Sequence, residues 1–316
     1  MNEYIIDLDM PEETRWIGLL NQYADTLNKI KPILKKLIDM QLSNYKYLLY
    51  PLIKLYKISG FIKYKKELES IANFLSIDFE HVLLLQLYYE MNAACTSVVT
   101  KVNDSYCMFR TMDWPMEFLK ELTVNLKFVK NNKVLCYATS WVGYVGLLTV
   151  TIPEKCCISM NYRRTSLNSY GILKNMFNCM TMSWPSGYLI REICENSYDT
   201  NMIRFLLKKS NLISPCYFTL CYNDRKPEII IRDPSSYSIE SGDFVIQTNC
   251  DSGKIEPNIL YSIERRKICK EIILQKNNSF ESSDELISLL FVQPVLNSET
   301  IYLNILNPNE TPLTFI

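Results

Sequence analysis

Runs of β-branched and aromatic residues fall into two blocks along the chain, and helical sequence follows each block. This pattern restricts the fold more than any other feature. The first block predicts strands at Cys95–Val102, Tyr106–Met112, Thr123–Val129, Val134–Ser140, Val145–Thr151 and Cys156–Tyr162. The second predicts Cys216–Tyr222, Glu228–Arg232 and Phe244–Thr248, with closing strands near Thr300–Leu306 and Thr311–Ile316. Alternating strand and helix blocks indicate an α+β fold in which helices cover two antiparallel sheets.

Apolar residues at helical spacing occupy most of the first 94 residues. Helices are predicted there at Leu27–Met40, Tyr45–Ile58, Tyr64–Leu75 and Phe79–Asn92. Further helices are predicted at Tyr170–Met180, Gly187–Asn196, Asp199–Lys208, Asn258–Gln275 and Ser283–Phe291. The change from helical to strand sequence at Cys95 divides the chain into a helical segment, residues 1–94, and a layered segment, residues 95–316.

The charge balance is even overall and uneven locally. Lys and Arg together number 34, and so do Asp and Glu, which gives a net charge of zero. This balance excludes nucleic-acid binding through a positive charge spread over the whole chain. Between Lys29 and Lys66, however, ten lysines stand against the single acid Asp39, interleaved with Leu, Ile and Tyr. This stretch fits either a solvated helix face or a surface that approaches anionic lipid.

The composition limits the catalytic chemistry available. The sequence has one histidine, His81, so a metal site built on two or three imidazoles is excluded. It follows Glu80 at the start of a predicted helix, where we expect a solvated side chain. Eleven cysteines contain no C-x-x-C pair, so most are expected to be small buried hydrophobes. We expect neither a metal nor a cofactor.

The first residues do not resemble a secretory signal. Their sequence MNEYIIDLDMPEETR is acidic and interrupted, whereas a signal needs a basic start followed by an apolar run. Apolar stretches also stay well short of the ~18 residues that span a bilayer. We therefore expect a cytoplasmic protein that makes peripheral membrane contact at most.

Cys95 has the most suggestive setting among the cysteines. It follows the small pair Ala93-Ala94 at a predicted helix-to-strand junction. The next predicted strand ends near Arg110 and Asp113, and in a hairpin that end lies beside Cys95. A cationic neighbour lowers the pKa of a thiol and makes it more reactive. A plain core cysteine remains the alternative on these grounds.

Five segments, in chain order, carry a resemblance to one enzyme family. They are Ile6–Trp16, Cys95–Val99 with Arg110–Pro115, the W-x-G-Y-V-G-x-L-T segment Trp141–Thr149, Gln247–Asp251 with Glu264–Arg266, and Gln293–Asn297 with Ile301-Tyr302. Together they resemble acid ceramidase and N-acylethanolamine-hydrolysing acid amidase. Those enzymes are N-terminal-nucleophile hydrolases related to bile-salt and penicillin-V amidases. The resemblance implies a four-layer αββα sandwich with a helical N-terminal segment.

The resemblance also implies how such a chain acts. It would cleave itself between Ala94 and Cys95, and the two fragments would stay associated. The new α-amino group, with an unperturbed pKa near ~8, would then serve as general base. The Cys95 thiolate would attack the amide carbonyl and form a thioester. Asp113 would hold the new ammonium group, and Arg110 would favour the thiolate or bind the polar head of the substrate.

Other residues take their roles from the same resemblance. Asn249 would donate a hydrogen bond to the oxyanion, and Arg265 would order the pocket through an ion pair with Asp113. For Asn249 a strand-end turn, and for Arg265 an exposed helix face, remain open. The substrate would be an N-acylated lipid, either a ceramide or an N-acylethanolamine. Aromatic side chains would line its pocket: Trp114, Trp141, Tyr144 and Tyr162.

The sequence departs from the family at Met160–Arg164. Where the family has Asn-Glu-Arg or Asp-Glu-Arg, this chain places Tyr162 at the Glu position. A phenol with a pKa near ~10 cannot supply a carboxylate, so we expect the acid optimum to shift toward neutral pH. The loop between Cys95 and Arg110 is also one residue shorter than usual in the family.

Two alternative functions stay open at this point. One is an amidase for conjugated amino acids or bile-salt-like substrates. The other is a catalytically inactive protein that keeps the fold and binds lipid or a protein partner, because Tyr162 replaces a site carboxylate. An uncut chain would also be inactive, since the amide nitrogen of Cys95 is no base.

Overall fold

Two β-sheets pack face to face, with helices on both outer sides. The computed structural model describes residues 3–41, 53, 54, 57, 62–88, 93–164, 183–254 and 258–316. One sheet has eight strands and the other has six. The arrangement is the predicted α+β fold, a four-layer αββα sandwich.

The eight-stranded sheet contains strands from both segments of the chain. In spatial order they are β1 (Glu3–Asp7), β4 (Thr123–Lys130), β5 (Lys133–Trp141), β6 (Thr149–Ile152), β7 (Cys156–Tyr162), β8 (Cys216–Tyr222), β9 (Glu228–Arg232) and β10 (Tyr237–Ser241). Strand β1 runs parallel to β4, and the other neighbours are antiparallel.

The six-stranded sheet holds the β2–β3 hairpin at its centre. Its members are β2 (Ala94–Val102), β3 (Ser105–Asp113), β11 (Val245–Gln247), β12 (Ser279–Phe280), β13 (Thr300–Leu306) and β14 (Leu313–Phe315). Their order is β11-β2-β3-β13-β14, and β12 adds in parallel to the end of β2. Asn103 turns the hairpin with a left-handed φ of 53°, a conformation that asparagine tolerates better than most residues.

The described residues include nine α-helices. They are α1 (Ile17–Gln22), α2 (Ala24–Gln41), α3 (Lys65–Leu75), α4 (Phe79–Tyr88), α5 (Leu119–Leu122), α6 (Ser186–Glu195), α7 (Thr200–Lys209), α8 (Ser262–Gln275) and α9 (Ser283–Leu290). Asp199 caps α7 by accepting the Met202 N–H at 2.7 Å, and Ser282 caps α9 by accepting the Glu285 N–H at 3.1 Å.

Strand alternation distributes the apolar side chains among three cores. On β2, Val99 faces the eight-stranded sheet, where it packs in one cluster with Tyr217 and Cys221. Its neighbour Val98 faces the opposite way and packs with Cys269 and Ile273 of α8. A third and larger core lies between the eight-stranded sheet and helices α1–α4, α6 and α7. The period of two along a strand therefore generates the layers.

Several predicted elements need correction. The segment 1–94 is not wholly helical, because β1 joins the large sheet. The strand predicted from Val145 begins only at Thr149, since residues 142–148 form a loop. Strand β10 was not predicted. The helices predicted at Tyr170–Met180, and almost all of Tyr45–Ile58, lie outside the described residues.

The W-x-G-Y-V-G segment forms that loop, and its glycines have separate physical reasons. Gly143 has a φ of 87°, in the left-handed region that favours glycine. A Cβ at Gly146 would come within 2.6 Å of the Tyr144 hydroxyl oxygen, and one at Gly187 within 2.2 Å. The Tyr144 side chain therefore packs directly against the backbone of Gly146 and Gly187, where a larger residue would clash with it.

Gly187→Ala is therefore expected to destabilise the fold by about 1–3 kcal/mol, the usual cost of overpacking a buried site. Helix propensity alone would favour alanine in α6, so the loss would come from the Tyr144 hydroxyl. Urea unfolding would measure it. In a Tyr144→Phe background the same substitution should cost less, because the next nearest atoms lie 3.3 Å from the new Cβ and need to shift by only a few tenths of an ångström. An equal cost in both backgrounds would contradict this explanation.

Every cysteine among the described residues is a buried free thiol. Burial raises the pKa of the Cys107, Cys156 and Cys269 thiols. Such thiols are poor nucleophiles, as expected for cysteines that only fill a core. Among the described helices, none combines the length and apolar character needed to cross a bilayer.

Candidate active site

Cys95 lies at the start of β2, in the centre of the six-stranded sheet. Its side chain is fully buried. In the hairpin register Cys95 pairs with Met112, while Ala94 pairs with Asp113 and Ser97 with Arg110. The end of β3 thus lies beside the start of β2, which brings Arg110 and Asp113 next to Cys95.

Arg110 points into the space between the two sheets and contacts the thiol. Its Nη2 donates to the Cys95 Sγ at 3.1 Å and to the Met160 carbonyl oxygen at 2.6 Å. Its Nη1 donates to the Ser97 hydroxyl at 3.1 Å and to the Asn161 Oδ1. The guanidinium is completely buried, so a permanent positive charge lies against the thiol in a dry environment.

Asn161 is a site residue that sequence reasoning missed. Its Oδ1 accepts from Arg110 and from the Ser97 hydroxyl, while its Nδ2 donates to the carbonyl oxygens of Cys95 and Gln247 at 3.3 and 3.0 Å. The side chain thereby ties β7, β2 and β11 together beneath Arg110. The available signal was its place next to Tyr162, in the segment compared with the family Asn-Glu-Arg.

Asn249 holds the backbone on both sides of the Ala94–Cys95 peptide bond. Its Oδ1 accepts the Cys95 N–H at 2.7 Å, and its Nδ2 donates to the Ala93 carbonyl oxygen at 3.3 Å. The same Nδ2 also donates to the Tyr162 carbonyl oxygen at 2.9 Å. The side chain is therefore part of the site and not only of a strand-end turn.

Arg265 reaches Cys95 from α8, on the other face of the sheet. Its Nη1 donates to the Cys95 carbonyl oxygen at 2.7 Å and lies 3.5 Å from the Asp113 Oδ2. Its Nη2 donates to the Asn249 Oδ1 at 3.0 Å. Both members of the Arg265–Asp113 pair are fully buried, so the alternative of an exposed helix face is wrong.

Asp113 is completely buried, and its hydrogen-bond and charge partners offset only part of the desolvation of its carboxylate. Burial raises the pKa of its carboxyl, and this rise is opposed by Arg265 and by the Thr300 hydroxyl, which donates at 2.7 Å. Burial likewise lowers the pKa of Arg265. A further cation close to Asp113 would therefore stabilise its charged form.

Aromatic side chains line an apolar cavity beside this centre. Trp114, which follows Asp113, stacks on Tyr88 with ring centroids 5.6 Å apart and contacts Trp141 at 5.7 Å. The cavity is bounded by α2, α3, α4, α5 and the segment Trp141–Tyr144. Its wall includes three of the predicted pocket residues, Trp114, Trp141 and Tyr144, together with Leu27, Leu34 and Ile71.

Tyr162 and His81 lie differently from expectation. Tyr162 does not line the cavity; its backbone carbonyl accepts from Asn249, and its role in substrate binding stays a prediction. His81 is buried, with only 8% of its surface exposed, so the expectation of a solvated side chain is wrong. The reason is that α4 is apolar around most of its circumference, and such a helix is enclosed on all sides.

The charged and thiol groups of the site do not form a metal cluster. Within the described ranges, no three His, Cys, Asp or Glu side chains lie close enough together to hold a metal ion. The arrangement instead places two guanidinium groups, one carboxylate and two amide side chains around the thiol and backbone of Cys95. Such a set suits a nucleophile whose base is its own α-amino group.

The two-sheet sandwich is the fold of the N-terminal-nucleophile hydrolases. Among solved structures, the Caenorhabditis elegans N-acylethanolamine-hydrolyzing acid amidase ortholog has a TM-score of 0.61 and 21% identity, and the match covers 68% of this chain and 94% of that one.

Sequence comparison narrows the class to a family. Acid ceramidase of Rattus norvegicus is 29% identical over 333 residues, which cover 96% of this chain and 83% of that protein. An uncharacterized protein of Acanthamoeba polyphaga mimivirus is 35% identical over 309 residues, with 95% and 94% of the two chains covered. A scan against protein-family models finds no match. The chain belongs to the acid ceramidase family of N-acyl amide hydrolases.

Proposed function

We propose that this protein hydrolyses the amide bond of an N-acylated lipid, a ceramide or an N-acylethanolamine, with Cys95 as an N-terminal nucleophile. One observation carries the proposal above all others. The Cys95 thiol contacts Arg110 at 3.1 Å, while its backbone nitrogen contacts Asn249 at 2.7 Å. A core cysteine needs neither contact.

Self-cleavage would begin with attack of the Cys95 Sγ on the Ala94 carbonyl carbon. The C–N bond breaks as the C–S bond forms, and the thiol proton passes to the departing nitrogen. Water then hydrolyses the thioester, which leaves a carboxylate on Ala94 and restores the thiol. Asn249 supports this step because it holds the Ala93 carbonyl and the Cys95 amide on either side of the scissile bond.

The free α-amino group of Cys95 would then act as general base. It takes the thiol proton, the thiolate attacks the substrate carbonyl, and the amine returns the proton to the leaving nitrogen. Water attacks the resulting thioester, gives a proton to the amine, and releases the fatty acid. Departure of Ala93 frees the Asn249 Nδ2 from that carbonyl, so that it can donate to the oxyanion of the substrate.

Charges near the new terminus set the pH range of this chemistry. Arg110 and Arg265 both contact Cys95, and these two nearby cations would lower the pKa of the α-amine. Asp113 is the nearby anion that would hold the amine when it carries a proton. Because burial raises the pKa of Asp113, that anion is lost as the pH falls through the raised value.

The apolar cavity would receive the acyl chain. Helix α2 supplies Leu27, Leu34 and Leu37 to its wall. Lys29, Lys35 and Lys36 of the same helix are exposed, as is Ile33, with 45% of its surface accessible. This amphipathic helix suits a protein that takes its substrate from an anionic lipid surface.

The test is an activity screen of the processed protein across N-acyl lipids. Release of labelled fatty acid would be measured from ceramide, from N-acylethanolamine and from a conjugated amino acid, between pH 4 and pH 8. Release from either lipid supports the proposal. Release only from the conjugated amino acid would show that the protein is an amidase for conjugated amino acids and not for N-acyl lipids. Release from none, in a chain that remains uncut, would favour an inactive binding protein.

The pH–rate profile is expected to peak near neutral pH. Tyr162 stands where the family has a glutamate, and Asp113 loses its charge as the pH falls. The amine must also be neutral, so the rate should rise with pH through the pKa of that group. Initial rates in a constant-ionic-strength buffer series would give the profile. A maximum near pH 4–5 would contradict this prediction.

A further inference from the structure

We infer that Gln86 and Glu67, both in the N-terminal segment, position the backbone of Gly143–Val145, the part of the loop in which Gly143 and Tyr144 line the cavity. They would thereby set which acyl chains the site accepts. This inference rests on the proposed function for its meaning in catalysis. The contacts on which it stands are independent of the reaction.

Gln86 binds the loop backbone with both ends of its amide. Its Nε2 donates to the Gly143 carbonyl oxygen at 2.9 Å, and its Oε1 accepts the Val145 N–H at 2.8 Å. The side chain lies in the cavity wall and is only 4% exposed. Loop backbone groups that are buried need such partners, because an unpaired one costs as much as a lost hydrogen bond.

Glu67 acts on the same loop through Arg191. Both Glu67 oxygens accept from Arg191 at 2.6 Å, and the Arg191 Nη1 donates to the Val145 carbonyl oxygen at 2.9 Å. Arg15 and Trp16 add two further donors to the carboxylate. Both charges are completely buried. Burial lowers the pKa of Arg191, but the Glu67 carboxylate outweighs this effect and holds that pKa above its ordinary value.

The two sets of contacts meet at Val145. Its N–H is held by Gln86 and its carbonyl by the Glu67–Arg191 pair, so the loop is fixed from both sides. Tyr144, between the two bonded residues, forms part of the cavity wall. A change at Gln86 would therefore move the wall and leave the contacts of Cys95 in place.

All eleven cysteines stand at position 95 or later. After cleavage before Cys95, no disulfide can join residues 1–94 to the rest. Gln86 and Glu67 would then be contributed to the loop by a separate polypeptide. The N-terminal fragment would thus hold the loop of the substrate pocket in place after cleavage.

The test compares Gln86→Leu with wild type and with Glu69→Gln in the processed protein. Glu69 lies on α3 like Glu67, but its carboxylate is 35% exposed and pairs with Lys57 at the surface. For Gln86→Leu we expect KM for a long-chain N-acyl substrate to rise roughly tenfold, with kcat and self-cleavage little changed. The short-chain substrate should be affected less. The Glu69→Gln control should match wild type.

A second readout does not depend on turnover. Amide hydrogen exchange over Gly143–Val145 should quicken in Gln86→Leu and stay unchanged in Glu69→Gln. In Gln86→Glu, protection should return at low pH, where the protonated carboxyl can both donate and accept. Unchanged exchange in Gln86→Leu would overturn the inference, as would unchanged acyl-chain preference in an active enzyme. Faster exchange in a protein that hydrolyses no N-acyl lipid would instead count against the proposed function alone.

Discussion

Replacing Cys95 with alanine is expected to abolish chain cleavage and amide hydrolysis together. The methyl side chain has no nucleophilic atom, so neither the Ala94–Cys95 bond nor a substrate amide can be attacked. Losses of roughly a million-fold follow removal of a nucleophile in comparable hydrolases. The purified variant should give one full-length mass, and fatty-acid release should fall to the background rate.

The matched control is Cys107→Ala. Cys107 is buried on β3, packs in the core beneath α8 and α9, and contacts none of the site residues described above. This variant should still cleave itself and turn over substrate, with a modest loss of stability from the cavity. If Cys95→Ala retained turnover while folded, the nucleophile would have to be another group.

Arg110→Lys is expected to lower the rate of hydrolysis by roughly 100-fold or more, the scale of losing a preorganised donor. The charge is kept, but one ammonium cannot serve the thiol, the Met160 carbonyl, Ser97 and Asn161, which the planar guanidinium reaches together. The thiol should also react with an alkylating agent more slowly at neutral pH. Both rates would be measured on the processed protein.

Arg204→Lys serves as the control for that substitution. Arg204 pairs with Glu228 at the far end of the large sheet, and its side chain is 34% exposed. It should leave hydrolysis and alkylation unchanged. Equal rates in Arg110→Lys and wild type would show that Arg110 only fills space beside the thiol.

Strands with a buried face were predicted well because their residue types favour the β conformation. Cys156–Tyr162, Cys216–Tyr222 and Thr300–Leu306 are β-branched or aromatic runs bounded by turn residues, and the structure has the same bounds. Strand β10 has no buried residue, and its Tyr-Ser-Ile-Glu-Ser alternation is too short to distinguish it from a loop. Strand β1 is five residues long and owes its conformation to its pairing with β4.

The site residues likewise fall into those that could be predicted from the sequence and those that could not. Cys95, Arg110 and Asp113 could be placed together because a hairpin register links them locally. Asn161 could not, since a lone asparagine on a strand becomes a site residue only when β7 packs across β2. Glu67 and Arg191 also escaped prediction, because charged residues on predicted helices usually face solvent. Only the tertiary structure shows that these two are paired inside the core.

The most direct test of the account is the intact mass of the purified wild-type protein after incubation at neutral pH. Cleavage by Cys95 predicts two polypeptides, residues 1–94 and residues 95–316, that remain together in native mass spectrometry and separate on denaturation. The second should begin with a free cysteine. A single uncut chain, or a break at any other bond, would contradict the claim that Cys95 becomes an N-terminal nucleophile.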